Sequence, residues 1–279
     1  RGAYQEAKAH HADPHKKKPL RVQAWVVVEE CGMISLQTWL DTVLYKVKKD
    51  EIAKPNRPIR FVGDLGVEAS LQGFVLTKIL KEAMSQEDLV INGCRARFIK
   101  SPAYEYMAET FDLLMHPEDR AFFCYFSDDS CLSIRVGGRV YTFNLDISTC
   151  DASHGPLLFK MLSKMVPDWV LDDMIALIAQ CEKEIRVKFK GEKGSFYVPC
   201  EFSSPKLYSG STLTTVINNL ANLLIFVAIS QLNLTPDLSL IQIGEAIGGA
   251  AARAGYKISG LSEAESCQIP EDIQFLKHS

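Results

Sequence analysis

The sequence has no C-x-x-C pair and no zinc-ligand spacing, although it holds eight cysteines: Cys31, Cys94, Cys124, Cys131, Cys150, Cys181, Cys200 and Cys267. That sets the common zinc modules aside, and scattered single cysteines point to a reducing, intracellular setting. Long apolar runs are missing too. The longest, Leu223 to Ile229, is far below the ~20 residues of a membrane-spanning helix, and no secretory leader is expected from the opening residues. Nor is there the excess of positive charge that marks many nucleic-acid binders, since the net charge is −3 over 279 residues. A basic channel around an acidic centre would sum to a similar figure, so nucleic acid stays open. Repeats and low-complexity stretches are absent. What is present is an ordinary globular balance, 47% apolar and 23% charged, on a chain long enough for a sizeable core.

Residues 1–19 are polar, with His10, His11, Asp13 and His15 ahead of Lys16, Lys17 and Lys18, and read as a flexible basic lead-in. Patterning predicts a strand over 22–28, a helix over 36–47, a loop at Lys54-Pro55-Asn56-Arg57-Pro58 and a short strand over 59–62. Amphipathic helices follow over 70–84 and 104–115. From Ala121 the character changes to strands, over 121–126, 131–136 and 139–146. Helices run from Gly155 to about Cys181 with a break at Pro167, then strands over 185–190 and 196–202. A long helix over 211–231, a small-residue helix over 244–254 and short strands over 256–259 and 273–277 complete the pattern.

Gly137-Gly138 is a two-residue hairpin signal, because a type I′ turn needs positive φ at both central positions. Val136 then pairs with Arg139, each step back along one strand matches a step forward along the other, and Asp146 falls opposite Asp129. Ser127-Asp128-Asp129-Ser130 is itself a tight acidic turn. Acidic residues favour turns for local reasons, and the Asp-Asp pair alone says no more than that. With Asp146 set opposite, three carboxylates are expected at one end of a β-meander. Oxygen ligands of this kind suit two Mg²⁺ or Mn²⁺ ions, which together can drive phosphoryl transfer.

Asp146-Ile147-Ser148-Thr149-Cys150-Asp151 resembles motif A of viral RNA-dependent RNA polymerases. Ser209-Gly210, followed by Thr214 and Asn218, resembles motif B. Ser127-Asp128-Asp129 resembles motif C, with serine where glycine is commoner. The order is C-A-B, so the chain is similar to the palm-permuted polymerases of birnaviruses and permutotetraviruses. The resemblance implies that Asp146 and Asp128 bind the metals with Asp129 supporting, and that Asp151 and Asn218 select ribose. Ser209, Gly210 and Thr214 would line the nucleotide and template site. Ala250 to Lys257 looks like motif D, with Lys257 as proton donor to pyrophosphate, and Phe275-Leu276-Lys277 looks like motif E. Lys54, Arg57 and Arg60 resemble motif F, the first two on the triphosphate; Arg60 and Lys277 would contact RNA. Arg95, Arg97 and Lys100 form a rival basic cluster. Leu238 to Glu245, an apolar run ending in Gly-Glu, is a weaker match to motif C because it lacks a second acid.

The fold implied is α+β: a right-hand palm with a ferredoxin-like antiparallel sheet backed by helices, partial fingers and no thumb. Fingers would occupy 20–120 and the palm 121–279, with a fingers insertion at about 156–208. Partners would be an RNA template and nascent strand, nucleoside triphosphates, and other polymerase domains or viral replication proteins, in the host cytoplasm. Two other readings stay open. One is a reverse transcriptase-like enzyme. The other is a non-catalytic RNA-binding module whose sheet displays Phe123, Tyr125 and Tyr141 for base stacking.

Overall fold

A computed structural model describes residues 43–47, 61–64, 67–85, 87–100, 103–182, 184–201, 203–259, 261, 266–267, 273 and 275. The strands are β1 (Val43–Val47), β2 (Phe61–Asp64), β3 (Leu89–Ile91), β4 (Cys94–Phe98), β5 (Ala121–Phe126), β6 (Asp129–Val136), β7 (Arg139–Ile147), β8 (Ile185–Gly191), β9 (Gly194–Cys200), β10 (Ile258–Ser259) and β11 (Ser266–Cys267). The helices are α1 (Val67–Met84), α2 (Tyr104–Met115), α3 (Cys150–Ser153), α4 (Pro156–Met165), α5 (Leu171–Gln180), α6 (Thr214–Ser230) and α7 (Leu240–Arg253). The class is mixed α+β. Two compact units divide the chain: unit 1 is Arg1–Leu80 with His154–Thr214, and unit 2 is Lys81–Ser153 with Thr215–Ser279.

Unit 1 holds a four-stranded sheet in the order β2-β1-β8-β9, with β1 antiparallel to β2 and parallel to β8. The helix expected over 36–47 is corrected at its described end, since Val43–Val47 is a strand, while residues 36–42 lie outside the described residues. Its Val-Leu-Tyr-Lys-Val composition suits a pleated surface, and pairing on both sides outweighs local helix preference. The strand expected over 59–62 is described at Phe61–Asp64. Pro156 opens α4 in its first turn, and Pro167 precedes the 3₁₀ turn Asp168–Val170 that separates α4 from α5. The expected strand at 22–28 lies outside the described residues.

Unit 2 is built on a mixed sheet in the order β10-β7-β6-β5-β4-β3, with β11 also pairing β7. Residues 81–120, grouped above with the N-terminal region, belong to this unit because β4 runs parallel to β5. Parallel neighbours need a crossover, and α2 supplies it. The helix lays Met107 and Leu114 on Phe122, Cys124 and Cys131, with Ile99, Ile273 and Phe275 closing the cluster. Sheet alternation sends Phe123 to the other face, where its ring stacks on Phe226 of α6 at 5.7 Å. Strands β3 and β4 form a hairpin that had not been expected. Its turn is Asn92-Gly93, both left-handed (φ 51° and 69°), which is the strongest short hairpin signal a sequence carries.

Two details fix the ends of helices near the site. Helix α7 starts at Leu240, four residues before the expected 244, because Ser239 and Gln242 form a reciprocal capping box. Leu238 to Glu245 therefore runs into a helix and forms no strand-turn-strand. Arg120 donates to the carbonyls of Ser230 and Leu232, holding the C-terminal end of α6 against the start of β5.

Candidate active site

The register follows the glycine turn. Gly137 and Gly138 have φ of 56° and 80°, Val136 pairs with Arg139, and seven residue pairs further along Asp129 stands opposite Asp146. Directly opposed residues of an antiparallel ladder share a face. Asp129 and Asp146 therefore lie on one face at the end of the meander. Asp128 occupies the turn itself, between Phe126 and Asp129, which form the last pair of β5 and β6. Asp128 and Asp146 are exposed, and Asp129 is half-buried.

Three neighbours complete this end. Strand β10 pairs Ser259 with Asp146, and the Ser259 hydroxyl donates to Asp146 Oδ2 at 3.1 Å. Exposed Lys257 lies one step before β10, its carbonyl accepting the Ser148 N–H at 2.8 Å. The left-handed Thr149 (φ 49°) turns the chain into α3, which carries Asp151. Asn218, on α6, donates from Nδ2 to Asp151 Oδ1 at 3.2 Å. The two residues the resemblance pairs for ribose selection are hydrogen-bonded.

Electrostatics report the same gathering from a buried probe. The Cys150 thiol is pushed up by burial first, then by the negative charges of Asp151, Asp128 and Asp146. All three carboxylates thus act on one sulfur. Burial, with a smaller effect of Cys150, pushes the Tyr256 phenol up to about 12.

The expectation of a three-acid cluster needs correction. Among the described residues no three acidic, histidine or cysteine side chains come together closely enough to hold an ion. Asp128 sits in the turn, beyond the last ladder pair, and Asp146 turns one carboxylate oxygen to Ser259. The donors still suit a hard cation. Mg²⁺ is commonly held by one or two carboxylates, with water and phosphate oxygens filling the remaining positions. Two exposed acids, Asp128 and Asp146, fit that arrangement.

Helix α6 also brings residues that the sequence analysis missed. Ser127, in the acidic turn, is left-handed (φ 57°). Asn219 Oδ1 accepts its N–H at 2.6 Å, Asn222 Nδ2 donates to its carbonyl at 2.7 Å, and Asn218 Nδ2 donates to its hydroxyl at 3.4 Å. Three amides within five positions of an otherwise apolar run were the available signal. Ser259 had no signal beyond its place after Lys257.

The remaining expectations divide. In unit 1, the Ser209 carbonyl accepts the Gly63 N–H at 2.7 Å, and Gly210 (φ 96°) has no room for a side chain because a Cβ would meet the Gly63 carbonyl oxygen at 2.7 Å. Thr214 opens α6, its hydroxyl donating to the Tyr208 carbonyl at 3.5 Å. Lys54, Arg57, Arg60 and Lys277 lie outside the described residues. Arg95 and Arg97 are taken up by acids: Arg95 meets Asp119 and Asp88, and Arg97 meets Asp88 and Glu109. Phe123 and Tyr125 are buried, which removes them as a stacking platform for the RNA-binding-module reading. No protein-family model matches the chain, and no curated protein matches it.

Proposed function

We propose that the chain is the catalytic core of a viral RNA-dependent RNA polymerase of the permuted C-A-B type, with unit 2 as its palm. The observation that carries this reading is the pairing of Asp129 with Asp146 at the same end of the meander where Asn218 is bonded to Asp151. Each relation links residues far apart in sequence, and polymerase chemistry asks for both together. A reverse transcriptase-like enzyme is disfavoured, because a hydrogen-bonded amide–carboxylate pair suits a 2′-hydroxyl where those enzymes place a bulky side chain.

The reaction is template-directed. The 3′-hydroxyl oxygen of the nascent strand attacks the α-phosphorus of a nucleoside triphosphate, the bond to the bridging oxygen breaks, and pyrophosphate leaves. Mg²⁺ or Mn²⁺, when bound, would supply charge neutralisation on the phosphates and on the attacking oxygen. Asp146 and Asp128 would hold them, with Asp129 supporting and the Ser259 hydroxyl steering one oxygen of Asp146. Asp151 and Asn218 bind the ribose through its 2′-hydroxyl, and Ser209, Gly210 and Thr214 serve nucleotide and template. Lys257 gives a proton to the departing pyrophosphate. Lys54 and Arg57 hold the triphosphate, and Arg60 and Lys277 hold RNA. Catalysis of this kind is mostly positioning and charge neutralisation. The partners are template and nascent RNA, triphosphates and other replication proteins, in the host cytoplasm.

The test is primer extension with ribonucleotides and Mn²⁺, run beside Asp146→Ala. Incorporation by the unaltered chain and none by the variant supports the proposal. Equal incorporation by both, or RNA binding without incorporation, sinks it.

A further inference from the structure

Helix α6 keeps Asn218, Asn219 and Asn222 at 1% exposure or less, among Ile217, Leu220, Ala221 and Ile225. Apolar side chains would pack there as well. The amides even leave Asn219 Nδ2 and Asn222 Oδ1 buried without a hydrogen-bond partner, which is destabilising. Stability alone does not account for them.

All three amides instead converge on Ser127, whose N–H, carbonyl and hydroxyl each meet one of them. Two of the orientations are fixed by the partners. An N–H needs an oxygen opposite it, which sets Asn219. Asn222 Nδ2 lies between the carbonyls of Ser127 and Asn218, so only the amide nitrogen fits there. The residue being held is one that needs holding: Ser127 is left-handed, a conformation L side chains disfavour and glycine takes freely. Asp128 follows it directly.

We infer that Asn219 and Asn222 are positioning residues that lock the left-handed Ser127 from both sides of its peptide and so set where the Asp128 carboxylate stands. The lock is a property of the turn. Its consequence for catalysis rests on the polymerase reading.

The experiment uses the full chain with Asn219→Ala and Asn222→Ala, each with and without Ser127→Gly. The near-isosteric Asn219→Leu and Asn222→Leu replace any alanine variant that fails to fold. Amide hydrogen exchange is followed residue by residue. In Asn219→Ala the Ser127 amide should exchange at least about tenfold faster while the β5 and β6 ladder amides keep their protection. In incorporation assays kcat should fall about tenfold with a smaller change in KM. Ser127→Gly should restore most of that loss, because glycine adopts the turn without support. Unchanged exchange at Ser127, or protection lost evenly across β5 and β6, overturns the lock, as does a failure of Ser127→Gly to rescue an active chain. If the unaltered chain incorporates nothing, the polymerase reading falls, and exchange at Ser127 still decides the lock.

Discussion

Two turns close the β5-β6-β7 meander, and they solve the same conformational problem by different means. Both are two-residue turns with a left-handed first residue, φ 57° at Ser127 and 56° at Gly137. At the second turn glycine meets the need locally and no other element has to help. At the first, a serine is held by a helix about ninety residues further along the chain. A left-handed non-glycine residue costs roughly 1–2 kcal/mol, which two or three hydrogen bonds of ~1 kcal/mol each can offset. The turn that is comfortable alone holds two glycines and no acid. The one that carries a carboxylate at its tip depends on tertiary contacts, as the polymerase proposal asks of a site where function outranks local preference.

The largest effect should come from exchanging acids for amides at the end of the meander that the first turn closes, set against a substitution in the second turn. Asp128→Asn and Asp146→Asn should each lower ribonucleotide incorporation by more than the ~10–100-fold that outer partners of a metal ligand contribute. Gly138→Asn should leave the rate unaltered, since asparagine tolerates the left-handed region and a Cβ at Gly138 meets nothing within 4 Å. Equal losses at both turns would erase the functional difference between them.

Next in size is a contrast inside the glycine turn. Gly137→Ala puts a Cβ 2.6 Å from Pro236 Cβ at a positive φ, whereas Gly138→Ala meets strain alone. Thermal unfolding should show a loss of roughly 1 kcal/mol for Gly138→Ala and roughly 2–3 kcal/mol for Gly137→Ala. Similar losses would mean that the turn shifts easily away from Pro236.

The contrast also explains how much could be read from the chain beforehand. Everything that Gly137-Gly138 determines was legible: the meander, its register and the meeting of Asp129 with Asp146. Helix α2 was legible from period, and the Asp151–Asn218 bond from resemblance. The Asn92-Gly93 hairpin also carries a local signal, in its Asn-Gly turn. What a local pattern does not carry is long-range pairing. The parallel match of β4 with β5, the strand at Val43–Val47 and the acids that occupy Arg95 and Arg97 all depend on partners set by the fold. The asparagines on Ser127 belong to the same group.

A smaller effect tests the acid end of the meander through pH. Tyr256 is buried with its phenol pushed up to about 12, so its neutral form is the one the fold favours. That contribution is complete below the ordinary tyrosine pKa of ~10 and is lost as pH rises through 12. In urea unfolding, the stability difference between the wild type and Tyr256→Phe should be constant up to about pH 9. Above about pH 10 it should move in favour of the variant, by on the order of 2 kcal/mol at most. Parallel curves up to pH 12 would mean that the phenolate reaches water without unfolding.

The smallest effect probes the comparison most directly, because it gives the first turn the residue of the second. Ser127→Gly relieves roughly 1 kcal/mol of backbone strain. It also adds ~0.4–1 kcal/mol of unfolded-chain entropy and forfeits the long hydroxyl contact to Asn218 at 3.4 Å. These terms nearly cancel, and the unfolding free energy from urea titration should change by no more than about 0.5 kcal/mol in either direction. A loss of ~2 kcal/mol would show that the serine hydroxyl, rather than the peptide groups gripped by Asn219 and Asn222, is what ties the turn to α6.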